Sequence, residues 1–348
     1  MIEKIIEGIK TIDKKLMEDA QDKLDNLTKP RGSLGRLEEL AKHIVGITGK
    51  DSPVIKNKFI ITMAADHGIV KEGVSAFPQE VTGQMVLNFI KGGAAVNILA
   101  KHAGAKLIVV DIGVASTIPP HPSLINKRVG PGTKNFLIGP AMSRNEAIKS
   151  ISTGIEIVMD IAEQGCDIIG TGDMGIGNTT ASSAITAVIT GSPVNSVTGK
   201  GTGISDESLS KKITIIEKAL SINLPDKDDP IDVLSKVGGF EIGGIAGIIL
   251  GAAYKRIPVV IDGFISGASA LIAVGIEPKV KEYLIASHIS YERGHNIILK
   301  YLGLDPLLNL SMRLGEGTGS ALGISIADAG IKILKQMATF KNAGVSGP

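Results

Sequence analysis

The sequence predicts an α/β protein with a mostly parallel sheet, on three observations. Four short β-branched runs each end in Asp or Gly: KFIITMAAD at 58–66, KLIVVDIG at 106–113, CDIIGTG at 166–172 and IPVVIDG at 257–263. Each is followed by a stretch long enough for a crossover helix, the pattern of buried parallel strands. Glycine, 43 of 348 residues, clusters after apolar runs rather than in repeats, as tight strand-to-helix turns require.

The remaining elements follow in chain order. Residues 1–15 mix Glu, Lys and Asp with Ile, an amphipathic helix pattern without the apolar core of a secretory signal. Gly32 and Ser33 before the periodic stretch 34–47 read as a capped helix start. Residues 181–189 read as a helix that opens from a glycine-rich turn, and PDKDDPID at 225–232 as a solvated loop. The apolar, glycine-rich stretch 242–253 is too short to span a bilayer. Residues 321–337 read as a second amphipathic terminal helix, able to pack with the first 50 residues as a smaller unit.

Composition excludes several classes of function. Lys and Arg number 37 against 35 Asp and Glu, a net charge of +2, with aromatics at 3% and no Trp. A nucleic-acid groove needs a basic stripe and stacking rings, so no nucleic-acid partner is expected. The lone Cys166 allows neither an intramolecular disulfide nor a multi-cysteine zinc site, and the chain reads as cytoplasmic, without a membrane partner.

Parallel sheets bind ligands beyond the carboxyl ends of their strands, which puts Asp66, Asp111, Asp173 and Asp262 on one rim. At 170–180 the chain reads GTGDMGIGNTT, where N–H groups at a helix start, with the hydroxyls of Thr179 and Thr180, suit a phosphate. The candidate phosphate ligands here are Gly175, Gly177, Asn178, Thr179 and Thr180. Gly170, Gly172 and Gly175 also match the dinucleotide fingerprint, but the acid expected about 20 residues later is missing. A second cluster, GKGTGI at 199–204, precedes Lys211 and Lys212; Gly203 and Lys212 are candidates for the same phosphate, against the plainer reading of a capped surface helix. At 311–320 the run SMRLGEGTGS holds Glu316 between glycines that give it no side-chain cover, so chemistry explains this carboxylate better than packing does.

Other motifs are less specific. Asp66-His67-Gly68 could position a loop or substrate, or could be a structural cap. His288 and His295 are seven apart on one expected helix, which is no metal-ligand spacing, and Asp228-Asp229 lies in a polar loop, poorly placed to hold magnesium. No metal and no cofactor are expected.

Taken in order, the blocks KPRGSLGRLE at 29–38, ADHG at 65–68, VTGQ at 81–84, GGAA at 92–95, GPAM at 139–142, GIGNTT at 175–180, DGF at 262–264 and GEGTG at 315–319 resemble one family. It is the nicotinate-nucleotide:dimethylbenzimidazole phosphoribosyltransferase family, of the lower-ligand branch of cobalamin assembly, and the likeness runs from Lys29 to AGVS at 343–346. The resemblance implies transfer of 5-phosphoribose from nicotinate mononucleotide to 5,6-dimethylbenzimidazole, giving α-ribazole 5′-phosphate and nicotinate. It implies a Rossmann-like large domain at 51–310 and a small helical domain from 1–50 and 311–348 that carries the catalytic loop. It also implies a homodimer, for which the apolar segment 240–253 and the paired terminal helices offer burying surface. Glu316 matches the family's general base, with Asp173 a second catalytic candidate; Phe77, Pro78, Gln84 and Leu314 are the candidates around the incoming base. Where many relatives carry Glu, this chain has Asp173, one methylene shorter. Two other readings compete: a magnesium-dependent transferase using phosphoribosyl diphosphate, which wants adjacent acids after a strand, and a non-catalytic nucleotide sensor.

Overall fold

The computed structural model describes residues 2–346. Six strands form one parallel sheet: β1 Lys58–Ala65, β2 Ala105–Gly113, β3 Leu124–Asn126, β4 Ile168–Met174, β5 Val259–Ile261 and β6 Leu284–Ala286. Their order is β3-β2-β1-β4-β5-β6, which reverses direction of winding between β1 and β4. That pair is the switch point, where a doubly wound sheet opens a crevice for ligands. The four expected strands are present, and β3 and β6 add to them; at three residues each, they are too short to show a period of two.

Side chains alternate across the sheet and build two cores. Phe59, Ile61, Met63, Val110, Ile112 and Ile169 face the helices Arg144–Glu163 and Phe240–Tyr254. The second of these helices is buried on every side but its end, as an all-round apolar helix must be. Its glycines let it lie directly on its neighbour, since a Cβ at Gly247 would overlap the Ile151 carbonyl. The apolar segment 240–253 is therefore consumed inside this chain and offers a second copy no surface, contrary to the expectation from sequence.

Ile60, Ala64, Val109, Ile168 and Val260 face the other way, toward Val81–Lys91, Ala95–Ala103, Arg36–Thr48 and Thr318–Gln336. The two ends of the chain meet here: the Thr28 N–H donates to the Ala338 carbonyl at 3.0 Å and the Phe340 N–H to the Asn26 carbonyl at 3.2 Å. Lys29 and Glu38 pair at 2.8 Å, almost fully buried, at the turn before Arg36–Thr48. The Ile2–Gly8 helix packs on the opposite side, with Ile5 and Ile9 in the first core.

Three local expectations are corrected. The single helix expected over 1–15 is, among the described residues, two: Ile2–Gly8 ends, and Asp13 caps a new helix, Lys14–Asp25, through the Leu16 N–H. Ser33 caps nothing; the third helix starts at Arg36 behind Gly35, whose φ is 50°. Residues 225–232 are only partly loop, since Asp229 caps and Pro230 opens the helix Pro230–Val237.

Candidate active site

A cavity of about 390 Å³ lies at the β1/β4 switch point, beyond the carboxyl ends of the strands. Glu316 and Asp173 line it together with Gly175, Asn178 and Thr179. A larger hollow of about 480 Å³, walled by Lys134, Ile138, Met142, Arg144 and Lys236, is lined by neither Glu316 nor Asp173, so it is the weaker candidate.

The loop that carries Glu316 is wound left-handed, with φ of 82° at Gly315, 66° at Glu316 and 104° at Gly317. Glycine adopts this conformation freely; a glutamate held there is a local strain of the kind that gathers at functional sites. The loop reaches the sheet because Gly172 of β4 has no side chain: a Cβ there would overlap the Glu316 carbonyl. Gly170 likewise leaves room for Ser320. Both glycines therefore lie inside β4 and not in a phosphate turn, so the apparent dinucleotide fingerprint is a packing feature.

Three carboxylates share this region. Glu316 Oε2 accepts the Val96 N–H at 3.3 Å, at the start of the Ala95–Ala103 helix. Burial pushes the Glu316 carboxyl up from its ordinary value, with that hydrogen bond acting against the rise. Asp173 accepts from Asn178 Nδ2 at 2.9 Å; burial first, then the charges of Asp262 and Glu241, hold it well above the usual carboxylate range. Asp262, fully buried at the end of β5, is pushed up to about 7 by burial, opposed by N–H bonds from Gly317, Gly319 and Ser320. Acids raised in this way can hold or take a proton near neutral pH.

Next to the acids, β4 ends in the turn Gly175–Gly177, and the helix Asn178–Thr190 begins with Gly177 at φ 95°. Behind this turn, His67 Nε2 and Glu241 Oε1 pair at 2.6 Å with no exposure to solvent, so the DHG motif braces the turn from below. Thr179 faces the cavity, whereas Thr180 is fully buried and Gly177 packs on Val70. Lys212 is also fully buried, in the capped helix Asp206–Asn223, and reaches the cavity only through Thr179, whose Oγ1 accepts from its Nζ at 2.8 Å. Burial pushes this amine down to about 8, with Glu292 pulling it back.

Gly201 and Thr202 form the opposite lip. The Gly201 N–H donates to Glu292 Oε1 at 3.0 Å and its carbonyl accepts from Arg313 Nη1 at 3.0 Å. Gly203 is exposed just outside this lip and does not line the cavity. On the apolar wall stand Phe77, Val81, Met85 and Leu314; Phe77 and Leu314 are 51% and 58% exposed at the mouth. Pro78 and Gln84 lie beside this wall in sequence but do not line the cavity.

Val81, Met85, Thr202, Phe264, Ser290, Glu292 and Arg313 also stand on the cavity wall, without a role predicted from the sequence. Val81, Thr202, Phe264 and Arg313 lie inside the motifs VTGQ, GKGTGI, DGF and SMRLGEGTGS, and that placement is the signal the sequence carries for them. His288 and His295 do not share a helix: His288 follows β6 and lines the cavity, His295 lies in Arg293–Leu302, and their rings are 6.2 Å apart.

Comparison with known proteins agrees with the resemblance. A family model described as phosphoribosyltransferase matches residues 9–345. The nicotinate-nucleotide–dimethylbenzimidazole phosphoribosyltransferase of Roseiflexus sp. (strain RS-1) is 56% identical over 347 residues, covering 100% of this chain and 98% of its own length. The enzyme of the same name from Desulforudis audaxviator is 54% identical over 346 residues, covering 99% and 98%. The crystal structure of CobT from Thermus thermophilus superposes with a TM-score of 0.92 at 43% identity, over 96% of this chain and 100% of that one. With this likeness along the whole chain and both acids at the switch-point cavity, the protein belongs to the nicotinate-nucleotide–dimethylbenzimidazole phosphoribosyltransferase family.

Proposed function

We propose that the chain transfers 5-phosphoribose from nicotinate mononucleotide to 5,6-dimethylbenzimidazole, giving α-ribazole 5′-phosphate and nicotinate for cobalamin assembly. The observation that carries this reading is the Glu316 carboxylate, on a left-handed loop between an apolar wall and a helix start. A flat aromatic base suits the side chains of Phe77, Val81, Met85 and Leu314, and a phosphate suits the N-terminus of Asn178–Thr190.

Each step asks for what these residues supply. The nicotinate is bonded through its ring nitrogen as a pyridinium, so it departs as a neutral ring and needs no acid. One benzimidazole nitrogen attacks the anomeric carbon through its lone pair while the other gives up its proton. Glu316 takes that proton, and its elevated pKa, caused by burial, makes it a stronger base than an exposed carboxylate. Attack opposite the leaving group turns the β-nucleotide into an α-product. Gly175, Asn178 and Thr179 hold the phosphate, with Lys212 placing Thr179 and Arg313 adding a charge at the Gly201 lip.

The enzyme works in the cytoplasm as a homodimer. The single cysteine, half-buried Cys166, leaves no intramolecular disulfide, which suits a reducing compartment. Phe77, Leu314 and Tyr291, the last 71% exposed between two cavity residues, form an apolar rim that a second copy would cover.

Mixing the purified protein with nicotinate mononucleotide and 5,6-dimethylbenzimidazole tests the reading. Stoichiometric release of nicotinate and α-ribazole 5′-phosphate is expected; release of nicotinate and free ribose phosphate, or no release, would contradict it.

A further inference from the structure

Asp262 ends β5 fully buried, off the cavity wall, and has no part in the chemistry above. Its two oxygens accept three N–H groups of one loop: Gly317 on Oδ2 at 2.9 Å, Gly319 and Ser320 on Oδ1 at 2.7 and 3.2 Å. These are donors that the start of a helix leaves unpaired, and the cap residue of Thr318–Gln336, Gly317, has no side chain to satisfy them. Two more strands hold the other end of the loop. Thr62 of β1 donates its hydroxyl to the Glu316 carbonyl at 2.7 Å, and the Glu316 N–H donates to the Asp173 carbonyl of β4 at 3.2 Å.

Three adjacent strands thus grip the backbone around one residue, and that residue sits in a conformation that its side chain disfavours. Released from these bonds, a glutamate would leave the left-handed region and swing its carboxylate off the cavity wall. We propose that Asp262 and Thr62 are positioning residues, a clamp that fixes the Gly315–Gly317 turn and so aims Glu316 at the acceptor base. The proposal rests on the reading of Glu316 as the general base. Charged and titratable neighbours of Asp262 are Glu316 in the loop, Asp173 on β4 and His288 after β6, whose Nδ1 is 3.9 Å away.

A double-mutant cycle on turnover tests the clamp. The variants are Asp262→Asn, Thr62→Val, Glu316→Gln and the two doubles with Glu316→Gln, each with its fold checked by circular dichroism. Asp262→Asn is expected to lower kcat roughly 10- to 100-fold while KM for the nucleotide stays within about threefold, and Thr62→Val to lower kcat severalfold. In the Glu316→Gln background neither substitution should cost anything further, because the clamp acts only through that carboxylate. Losses that multiply across backgrounds, or full turnover in folded Asp262→Asn, would overturn the clamp. Should Asp262→Asn fail to fold, Thr62→Val decides alone, and an unchanged or multiplicative kcat there overturns it. Full turnover in Glu316→Gln would instead overturn the general-base reading beneath it, so the two failures are distinguishable.

Discussion

The side-chain amide of Asn178 donates to Asp173 Oδ2 at 2.9 Å, tying the acid at the end of β4 to the first residue of the helix that follows it. The bond spans the Gly175–Gly177 turn and anchors Asp173 against Gly315. Burial and the charges of Asp262, Glu241 and Glu316 favour the protonated form of this acid, with Asn178 opposing them. Environments that push two acids apart divide their roles, and here they leave Glu316 as the base.

Asp173→Asn therefore keeps most of the local geometry, since an amide resembles a protonated carboxyl. Its kcat should fall by less than about tenfold, well under the usual share of a general base. Steady-state kinetics on both variants check this, and a larger loss at Asp173 than at Glu316 would reverse the assignment.

The pH dependence has a definite sign. Glu316 can accept a proton only when ionised, and burial raises its pKa above the ordinary 4.5. The acid limb of kcat/KM should accordingly fall as pH drops through that raised value, with its midpoint above 4.5 and below the pH near 8 at which loss of the Lys212 charge acts on KM. This acid limb should disappear in Glu316→Gln.

Gly172→Ala puts a methyl group where the Glu316 carbonyl lies. Overpacking of this kind costs about 1–3 kcal/mol, and the loop, fixed on only a few bonds, is the part that would yield. A lower melting temperature together with a loss of turnover is expected; the same change at half-buried Gly139, where a Cβ meets nothing within 4 Å, should be silent.

Lys212→Gln removes the amine that holds Thr179 Oγ1 and the Gly199 carbonyl. Charged hydrogen bonds are worth about 1.5–3 kcal/mol to the fold, so the melting temperature should drop, and KM for the nucleotide, which feels the amine only through Thr179, should rise severalfold with a smaller change in kcat. Because burial brings the amine down to about 8, wild-type KM should also climb above that pH as the charge is lost, and the variant should show no such climb.

Much of this site is legible in the sequence, for physical reasons. The β-branched runs carry an Asp at or near their ends, which puts four acids on one rim, and Glu316 stands out because glycines leave it no packing role. What needed the fold was any property made by two distant segments. Gly172 reads as a phosphate-turn glycine until the loop 144 residues later is seen resting on it, as the difference between positions 172 and 316 shows. Asp262 reads as a rim acid like the others until three N–H groups converge on it. Lys212 reads either as a phosphate-binding cation or as a solvated lysine on a capped helix, and only packing shows that it is buried behind Thr179.

Glu316→Gln is the most direct test of Glu316 as the general base. Glutamine preserves size and hydrogen bonding yet cannot accept the acceptor's proton at neutral pH. Calorimetric titration of the variant should show both substrates binding as in the wild type, while nicotinate release falls roughly 10²- to 10⁴-fold. Near-normal release by a folded variant would contradict this role and move the base elsewhere, with Asp173 the first residue to test.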